Sequence, residues 1–107
     1  MEQVREFEQI HITDHIGNGK MNATTRRELC TVLGVSDRIC REMIEKARRD
    51  GEFICNDQDG KGYYMAESDE EILRQYRRDY ARAMSLLKRL TPLRRKLKAA
   101  GINPLKK

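Results

Sequence analysis

The sequence has no tryptophan, only six other aromatic residues, and no apolar run approaching the ~20 residues that cross a bilayer. It has no CxxC pair, and its three cysteines are an odd number, so neither a disulfide framework nor a zinc ribbon is indicated. The acidic N-terminus lacks the basic and apolar regions of a signal peptide. A chain of 107 residues is also too short for a large catalytic architecture. We therefore expect a small cytoplasmic protein with free thiols.

Charge is distributed unevenly along the chain. Residues 1–67 contain ten Lys/Arg and thirteen Asp/Glu, whereas residues 68–107 contain twelve Lys/Arg and four Asp/Glu. From Lys88 onward there are eight basic residues and no acidic one. This asymmetry favours binding of nucleic acid or another polyanion, although a solubilising helix end has the same composition.

Apolar spacing predicts a first helix from Glu2 to Ile16, followed by a turn at Gly17-Asn18-Gly19. Lys20 follows these glycines, but the spacing is not that of a phosphate-binding P-loop. We therefore expect a plain loop there. The apolar residues of the predicted helix are Val4, Phe7, Ile10, Ile12 and Ile16.

Two closely spaced helices are predicted next. Thr25 with Glu28 is a capping box, which predicts a helix ending at Gly34. Ser36 caps a second helix that continues to Gly51. The apolar stripe of that second helix consists of Ile39, Cys40, Met43, Ile44 and Ala47.

A β-hairpin and a long helix follow. Phe53–Cys55 and Tyr63–Met65 have the composition of strands, and alternation buries one of the two tyrosines in the second strand. Ser68 with Glu71 is another capping box. The helix that begins there has apolar residues at nearly heptad spacing up to Pro92, where we expect the helix to kink or restart.

The order helix, turn, helix and hairpin resembles the winged helix-turn-helix family. That family has a small residue in its first helix, a turn glycine four residues later, then an apolar residue and a capping serine. In this sequence those positions are Cys30, Gly34, Val35 and Ser36. Two further core positions fall on Cys40 and Met43, where Ile, Val or Leu is commoner. The resemblance covers residues 22–66.

The resemblance implies a mainly α fold with a small β-hairpin. It further implies a winged helix-turn-helix domain in residues 1–67, followed by a basic helical extension in residues 68–107. As a whole, the chain resembles short winged-helix DNA-binding proteins of bacteriophages and integrated mobile elements.

In that family the second helix of the pair enters the major groove of double-stranded DNA. The resemblance therefore implies that the helix beginning at Ser36 is the recognition helix. Arg38 and Arg41 are its base-reading candidates, because a guanidinium can donate two hydrogen bonds to guanine. Glu42 or Glu45 can accept from cytosine, but these carboxylates also repel phosphates. The outward face as predicted consists of Arg38, Arg41, Glu42, Glu45, Arg48 and Arg49.

Phosphate contacts are expected at two further places. One is the N-terminus of the first helix of the pair, where free amides and the helix dipole attract phosphate. The residues there are Thr24, Thr25, Arg26 and Arg27. The other is Lys61, the only cation at the tip of the hairpin.

The apolar seam of the long helix predicts a homodimer in which two recognition helices meet a two-fold DNA site. A solitary helix would leave this seam exposed, which is why we favour pairing. Alternatively the helix folds back over the winged domain, or its basic end from Lys88 to Lys98 lies on DNA or an acidic protein. The seam consists of Ile72, Tyr76, Tyr80, Ala83, Leu87 and Leu90.

Other chemistry has little support. His11 and His15 stand four apart, but no third metal ligand is evident. Cys30 and Cys40 both fall on inward faces, where a redox pair or two small core residues would fit. No Ser/His/Asp or Cys/His grouping has a catalytic context. We therefore expect no enzyme activity, metal, cofactor or small-molecule substrate.

The expected function is DNA binding, as a transcriptional regulator or a replication accessory factor. Arg38 and Arg41 would supply selectivity, and the basic C-terminal helix much of the affinity. The alternative is an interaction module that uses the same fold to bind protein. Its main support is the near-neutral charge of residues 20–65, which contain nine basic and eight acidic residues.

Overall fold

The computed structural model describes residues 11–57 and 60–106. These residues form a mainly helical fold with one small antiparallel hairpin and a long C-terminal helix, which confirms the predicted class. None of the helices in this part of the chain combines the length and apolar character needed to cross a membrane. The elements are α1 (Arg26–Leu33), α2 (Asp37–Arg49), β1 (Ile54–Asn56), β2 (Tyr63–Met65) and α3 (Asp69–Ala99), preceded by 3₁₀ turns at Ile12–His15 and Lys20–Asn22.

The turn between α1 and α2 follows the predicted caps. The Thr25 hydroxyl accepts from the Glu28 amide at 3.1 Å, which satisfies one of the free amides at the start of α1. Gly34 ends α1 with a φ of 66°, a left-handed conformation that glycine adopts without a Cβ penalty. The Ser36 hydroxyl then accepts from the Ile39 amide at 3.2 Å and starts α2.

The first predicted helix is wrong where it can be compared. Residues 2–10 of that prediction lie outside the described residues. The described end is a single 3₁₀ turn, and Ile16 has an extended backbone. Ile12 and Ile16 are buried in the core. The spacing of four between Ile12 and Ile16 therefore reflects two side chains in the core, and a 3₁₀ turn produces it as well as an α-helix does.

Strand β2 is hydrogen-bonded along both edges. On one edge it pairs with β1 in the register Ile54 to Met65 and Asn56 to Tyr63. On the other edge, the Thr24 and Tyr63 amides each donate to the other residue's carbonyl, at 2.7 and 2.8 Å. Met65 is bonded in the same way to the glycine-containing segment 17–19, with both distances 2.8 Å. The predicted loop thus lies along the hairpin and places the start of α1 beside it.

The hairpin separates two packed regions. On one side, Ile54 joins the main core formed by the first 3₁₀ turn, α1 and α2. On the other side, Cys55 and Tyr64 are buried outside that core. The Cys55 thiol donates to the Glu71 carbonyl at 3.8 Å, so the first turn of α3 lies against this side. Alternation buries Tyr64 and leaves Tyr63 half-buried, as predicted for one of the two. The main core consists of Ile12, Ile16, Leu29, Cys40, Ile44 and Ile54.

Helix α3 belongs to two compact units, whose boundary lies after Gln75. Its first two turns are part of the first unit, because the Gln75 side chain accepts from the Asn56 amide at 2.9 Å. The predicted capping box is present in shifted form. The Ser68 hydroxyl accepts from the Glu71 amide at 3.3 Å, while the Glu71 carboxylate accepts from the amide of Glu67, one residue before the serine.

The second unit comprises Tyr76 and the described residues that follow it. The sequence predicts a kink or a restart at Pro92. The restart is wrong, since α3 continues through this proline to Ala99. Proline removes one amide donor and crowds the preceding turn. The turns around it are exposed, so water can satisfy the carbonyl that loses its partner. Leucine, arginine and lysine on both sides favour the helix.

The close packing of β2 against residue 24 gives a test at Gly62. Its φ is 108°, and a Cβ at this position would lie 2.3 Å from the Thr24 carbonyl oxygen. Gly34 is the matched control, because its φ is also positive but no atom lies within 4 Å of such a Cβ. We expect Gly34→Ala to lower the free energy of unfolding by about 1–2 kcal/mol, from backbone strain alone.

Gly62→Ala should cost about 2 kcal/mol more, since it also disturbs the two hydrogen bonds between Thr24 and Tyr63, at about 1 kcal/mol each. Urea unfolding of both variants measures the difference. Equal losses would mean that the contact between residue 24 and β2 is unimportant for stability.

Candidate nucleic-acid interface

Helix α2 has one face in the core and one in solvent. Cys40 and Ile44 are buried against α1 and the hairpin, and Met43 and Ala47 pack against the same core. The outward side chains that were predicted from helical periodicity are exposed, with one exception discussed below. These exposed side chains are Arg38, Arg41, Glu42, Glu45 and Arg49.

Arg38 and Arg41 lie in the N-terminal half of α2 and differ in their partners. The Arg38 side chain is 82% exposed, and its Nε lies 3.9 Å from a carboxylate oxygen of Glu42. Arg41 is held more closely, because its Nε and Nη2 lie 2.9 and 2.7 Å from Oδ2 of Asp37. Arg38 is therefore the more loosely paired donor, and Arg41 the more closely paired one.

Asp37 connects the two helices. Besides Arg41, its carboxylate accepts a hydrogen bond from Nε of Arg26, at the start of α1. The two guanidinium groups, Arg26 first and Arg41 second, lower the pKa of Asp37. The neighbouring side chains of Tyr63 and Asp37, in that order, raise the pKa of Arg26. Asp37 thus stays ionised and fixes two arginines on one side of the helix pair.

Sequence reasoning missed Asp37 as a member of this surface. The spacing of four between Asp37 and Arg41 is a local signal for a helical ion pair. The contact with Arg26 spans eleven residues. It exists only because the turn at Gly34 brings the two helix N-termini together.

Arg48 is the exception on α2. It was predicted to face outward, but its guanidinium donates to the Ile54 carbonyl at 3.1 Å and to Oδ1 of Asn56 at 2.9 Å. It also lies 5.8 Å from the centre of the Tyr63 ring, within the range of a cation–π contact. Arg48 therefore connects α2 to the hairpin.

The polar groups before α1 are largely used within the fold. The Thr24 backbone pairs with β2, and its hydroxyl accepts from the Gly17 amide at 3.1 Å. The hydroxyls of Thr25 and Ser36 are occupied as helix caps. Among the predicted phosphate contacts at this end, Arg27 has an exposed side chain.

A polar cleft of about 350 Å³ lies between the start of α1 and the hairpin. Arg26 and Arg27 form one wall, and Asn56 and Asp57 contribute to the other. The cleft has charges of both signs, and Lys20 forms an ion pair with Asp57 at 2.8 Å. Lys61 is exposed near the hairpin tip. The mixed charge makes this cleft a weaker anion site than the sequence pattern indicated.

The two inward cysteines meet in the core. The Cys30 side chain packs against the core that contains the buried Cys40, and both thiols are reduced. Burial, together with the neighbouring Cys30, raises the pKa of Cys40 to about 11. A thiol with this pKa has almost no reactive thiolate at neutral pH. Cys40 therefore packs as a small core residue, and the redox hypothesis gains no support from its ionisation.

The predicted histidine pair lies at the first 3₁₀ turn, where His11 and His15 are both exposed. Within residues 11–57 and 60–106, no group of three metal-binding side chains is found. No family model, curated protein or solved structure matches this chain.

Arg48 contacts the hairpin whereas Arg49 is exposed, and this difference gives a test of the contact between α2 and the hairpin. We expect Arg48→Ala to lower the free energy of unfolding by about 1–2 kcal/mol, because it leaves two partly buried acceptors on Ile54 and Asn56 without this donor. Arg49→Ala removes the same charge from an exposed position and should change it by less than about 0.5 kcal/mol. Denaturant unfolding measures both; an equal effect would contradict the assignment of Arg48 to the hairpin contact.

Proposed function

We propose that this chain is a winged helix-turn-helix protein that binds double-stranded DNA, with α2 in the major groove. The observation that carries the proposal is the outward face of α2. It presents arginines from its N-terminal half while the opposite face is fixed in the core. A rigid helix with unburied guanidinium groups is what direct reading of base edges requires.

The dimensions of α2 are suitable. Thirteen residues at 1.5 Å each give a rod of about 20 Å. A helix with its side chains is about 10–12 Å across, which fits the width of the major groove, about 12 Å. Ser36 and Asp37 begin the helix, so Arg38 and Arg41 lie in its first and second turns. These are the turns that reach base edges in helix-turn-helix proteins.

Asp37 supports the reading role of Arg41. An ion pair between exposed groups contributes only about 0–1 kcal/mol, so a guanine contact can replace or share it. Before DNA binds, the carboxylate limits the orientations available to the guanidinium, which lowers the entropic cost of a base contact. The same carboxylate repels phosphates, and this favours base contacts over backbone contacts at this point of the helix.

The near-neutral charge of residues 20–65 predicts moderate nonspecific affinity. Such affinity comes mainly from cations at phosphates, and several cations of this surface are paired with carboxylates. A sequence-selective regulator or replication accessory factor in a bacterial or phage cytoplasm fits this balance. The same neutrality favours a second candidate function, in which the α2 face binds protein.

Titration with DNA tests the proposal. Random duplex DNA should bind more weakly as salt rises, and selection from a random pool should enrich a defined site. Arg38→Ala with Arg41→Ala should reduce the preference for that site, by about 1–3 kcal/mol for each lost bidentate contact.

The matched control is Lys46→Ala with Arg49→Ala, which removes two exposed charges from the C-terminal half of the same helix. This variant should weaken all sequences similarly and keep the preference. Absence of binding at low salt would reject DNA binding and favour the protein-binding function.

We also propose that the chain is a homodimer through part of the predicted seam of α3, the residues from Tyr76 to Leu87. Tyr76, Tyr80 and Leu87 are more than half exposed in the single chain. The rings of the two tyrosines stack with their centres 6.1 Å apart, which presents one continuous apolar surface. Ala83 lies between them and Leu87 and allows close approach of a second helix.

Sedimentation of the full chain tests the dimer. Tyr80→Lys with Leu87→Lys should yield a monomer, because the seam then carries added like charges. Ser85→Lys places a charge on the opposite face of α3 and should leave the dimer intact. A dimer that survives the seam substitutions would have its interface elsewhere.

A further inference from the structure

The C-terminal end of the second unit contains an apolar groove. The chain reverses at Gly101, whose φ is 73°, and the Ile102 amide donates to the Leu97 carbonyl at 2.9 Å. A turn at Asn103 follows, in which the side-chain oxygen of Asn103 accepts from the Leu105 amide at 3.0 Å. This turn places Asn103, Pro104 and Leu105 alongside the end of α3.

The groove has a volume of about 440 Å³. Two helical turns of α3 form one wall, and the segment after Asn103 forms the other. Its apolar lining consists of Leu90, Leu93, Leu97, Pro104 and Leu105. Leu93 and Leu105 are 59% and 91% exposed, so the folded chain leaves the lining largely uncovered.

The second unit, which contains this groove, is rich in positive charge. Residues 76–107 contain eleven basic residues and one acidic residue, Asp79. Arg94 lines the groove itself. The other cations on neighbouring positions are Arg95, Lys96, Lys98 and Lys106. An occupant must therefore supply both apolar groups and negative charge.

This combination discriminates among occupants. A second copy of the groove would bring the same cations into contact, and like charges oppose that association. Nucleic acid matches the charge, but its phosphates would leave the leucines uncovered. A membrane surface matches both, yet it favours a convex apolar face lying in the interface. A concave groove instead fits side chains that insert into it.

We propose that the groove binds an acidic segment of another protein, which inserts apolar side chains between α3 and the turn at Asn103. Asp and Glu residues flanking those anchors pair with Arg94 and its neighbours. The apolar anchors supply most of the affinity, and the charges steer association and select the partner. The proposal is independent of DNA binding, since α2 lies in the first unit.

A display library of random peptides tests the proposal, with the full chain as bait. Enriched peptides should contain apolar anchors flanked by Asp or Glu. Synthetic copies should bind the full chain in solution, and Leu93→Ala with Leu97→Ala should weaken them about tenfold or more, as truncation of anchor contacts does. Alanine favours the helix, and circular dichroism verifies that these variants remain folded.

Leu73→Ala is the matched control, because Leu73 is an exposed leucine of the same helix outside the groove. It should leave peptide affinity unchanged. Arg94→Glu with Lys98→Glu should weaken acidic peptides while the apolar lining is kept.

Several results would overturn the proposal. One is the absence of enriched acidic peptides, and another is equal binding by the wild type and the leucine variant. Vesicles of phosphatidylglycerol, random duplex DNA and the chain itself are assayed in parallel. If the leucine substitutions abolish vesicle binding or self-association but no acidic peptide binds, the occupant is a lipid surface or a second copy. If the wild-type chain binds acidic peptides but not duplex DNA, only the proposed DNA-binding function is rejected.

Discussion

The arrangement of the first unit depends on the hydrogen bonding of β2 along both edges. A two-stranded hairpin is marginal by itself in water. Here the segment before α1 acts as a third partner, through reciprocal backbone bonds between Thr24 and Tyr63 and further bonds to Met65. These bonds fix where α1 begins. Gly62 is needed because the backbones of residues 24 and 62 approach too closely for a side chain.

That placement determines which parts of α2 are free. The helix buries Cys40 and Ile44 against α1 and the hairpin, and Arg48 reaches around to bond β1. The rest of its polar face stays in solvent. Asp37 then organises the arginines near the helix start, with one on each helix. Core packing and surface chemistry are thus coupled, because the turn at Gly34 positions both.

The second unit has a different physical character. Its side chains are almost all exposed, and its charge is strongly positive. The helix is stabilised locally by residues of high helix propensity, since tertiary burial contributes little there. Exposed leucines on such an element are available for association. The seam around Tyr76 and Tyr80 and the groove at the end of α3 are two such surfaces, and Leu90 belongs to both.

The sequence by itself determined the caps, the glycine turn and the existence of a long helix, because these depend on neighbours within four residues. It also determined the hairpin, because two short strand-like segments flank a cluster of turn residues. It also predicted which face of α2 is exposed. It did not determine the backbone conformation of the segment from Ile12 to Ile16, because their spacing suits either an α-helix or a core-facing 3₁₀ turn.

Only the tertiary structure decided that Arg48 binds the hairpin and that Asp37 joins two helices. It also decided that the segment after Asn103 forms a groove with the end of α3. Each of these contacts joins residues that are brought together by a turn. The periodicity within one helix or strand does not indicate which residues of another element its side chains will contact.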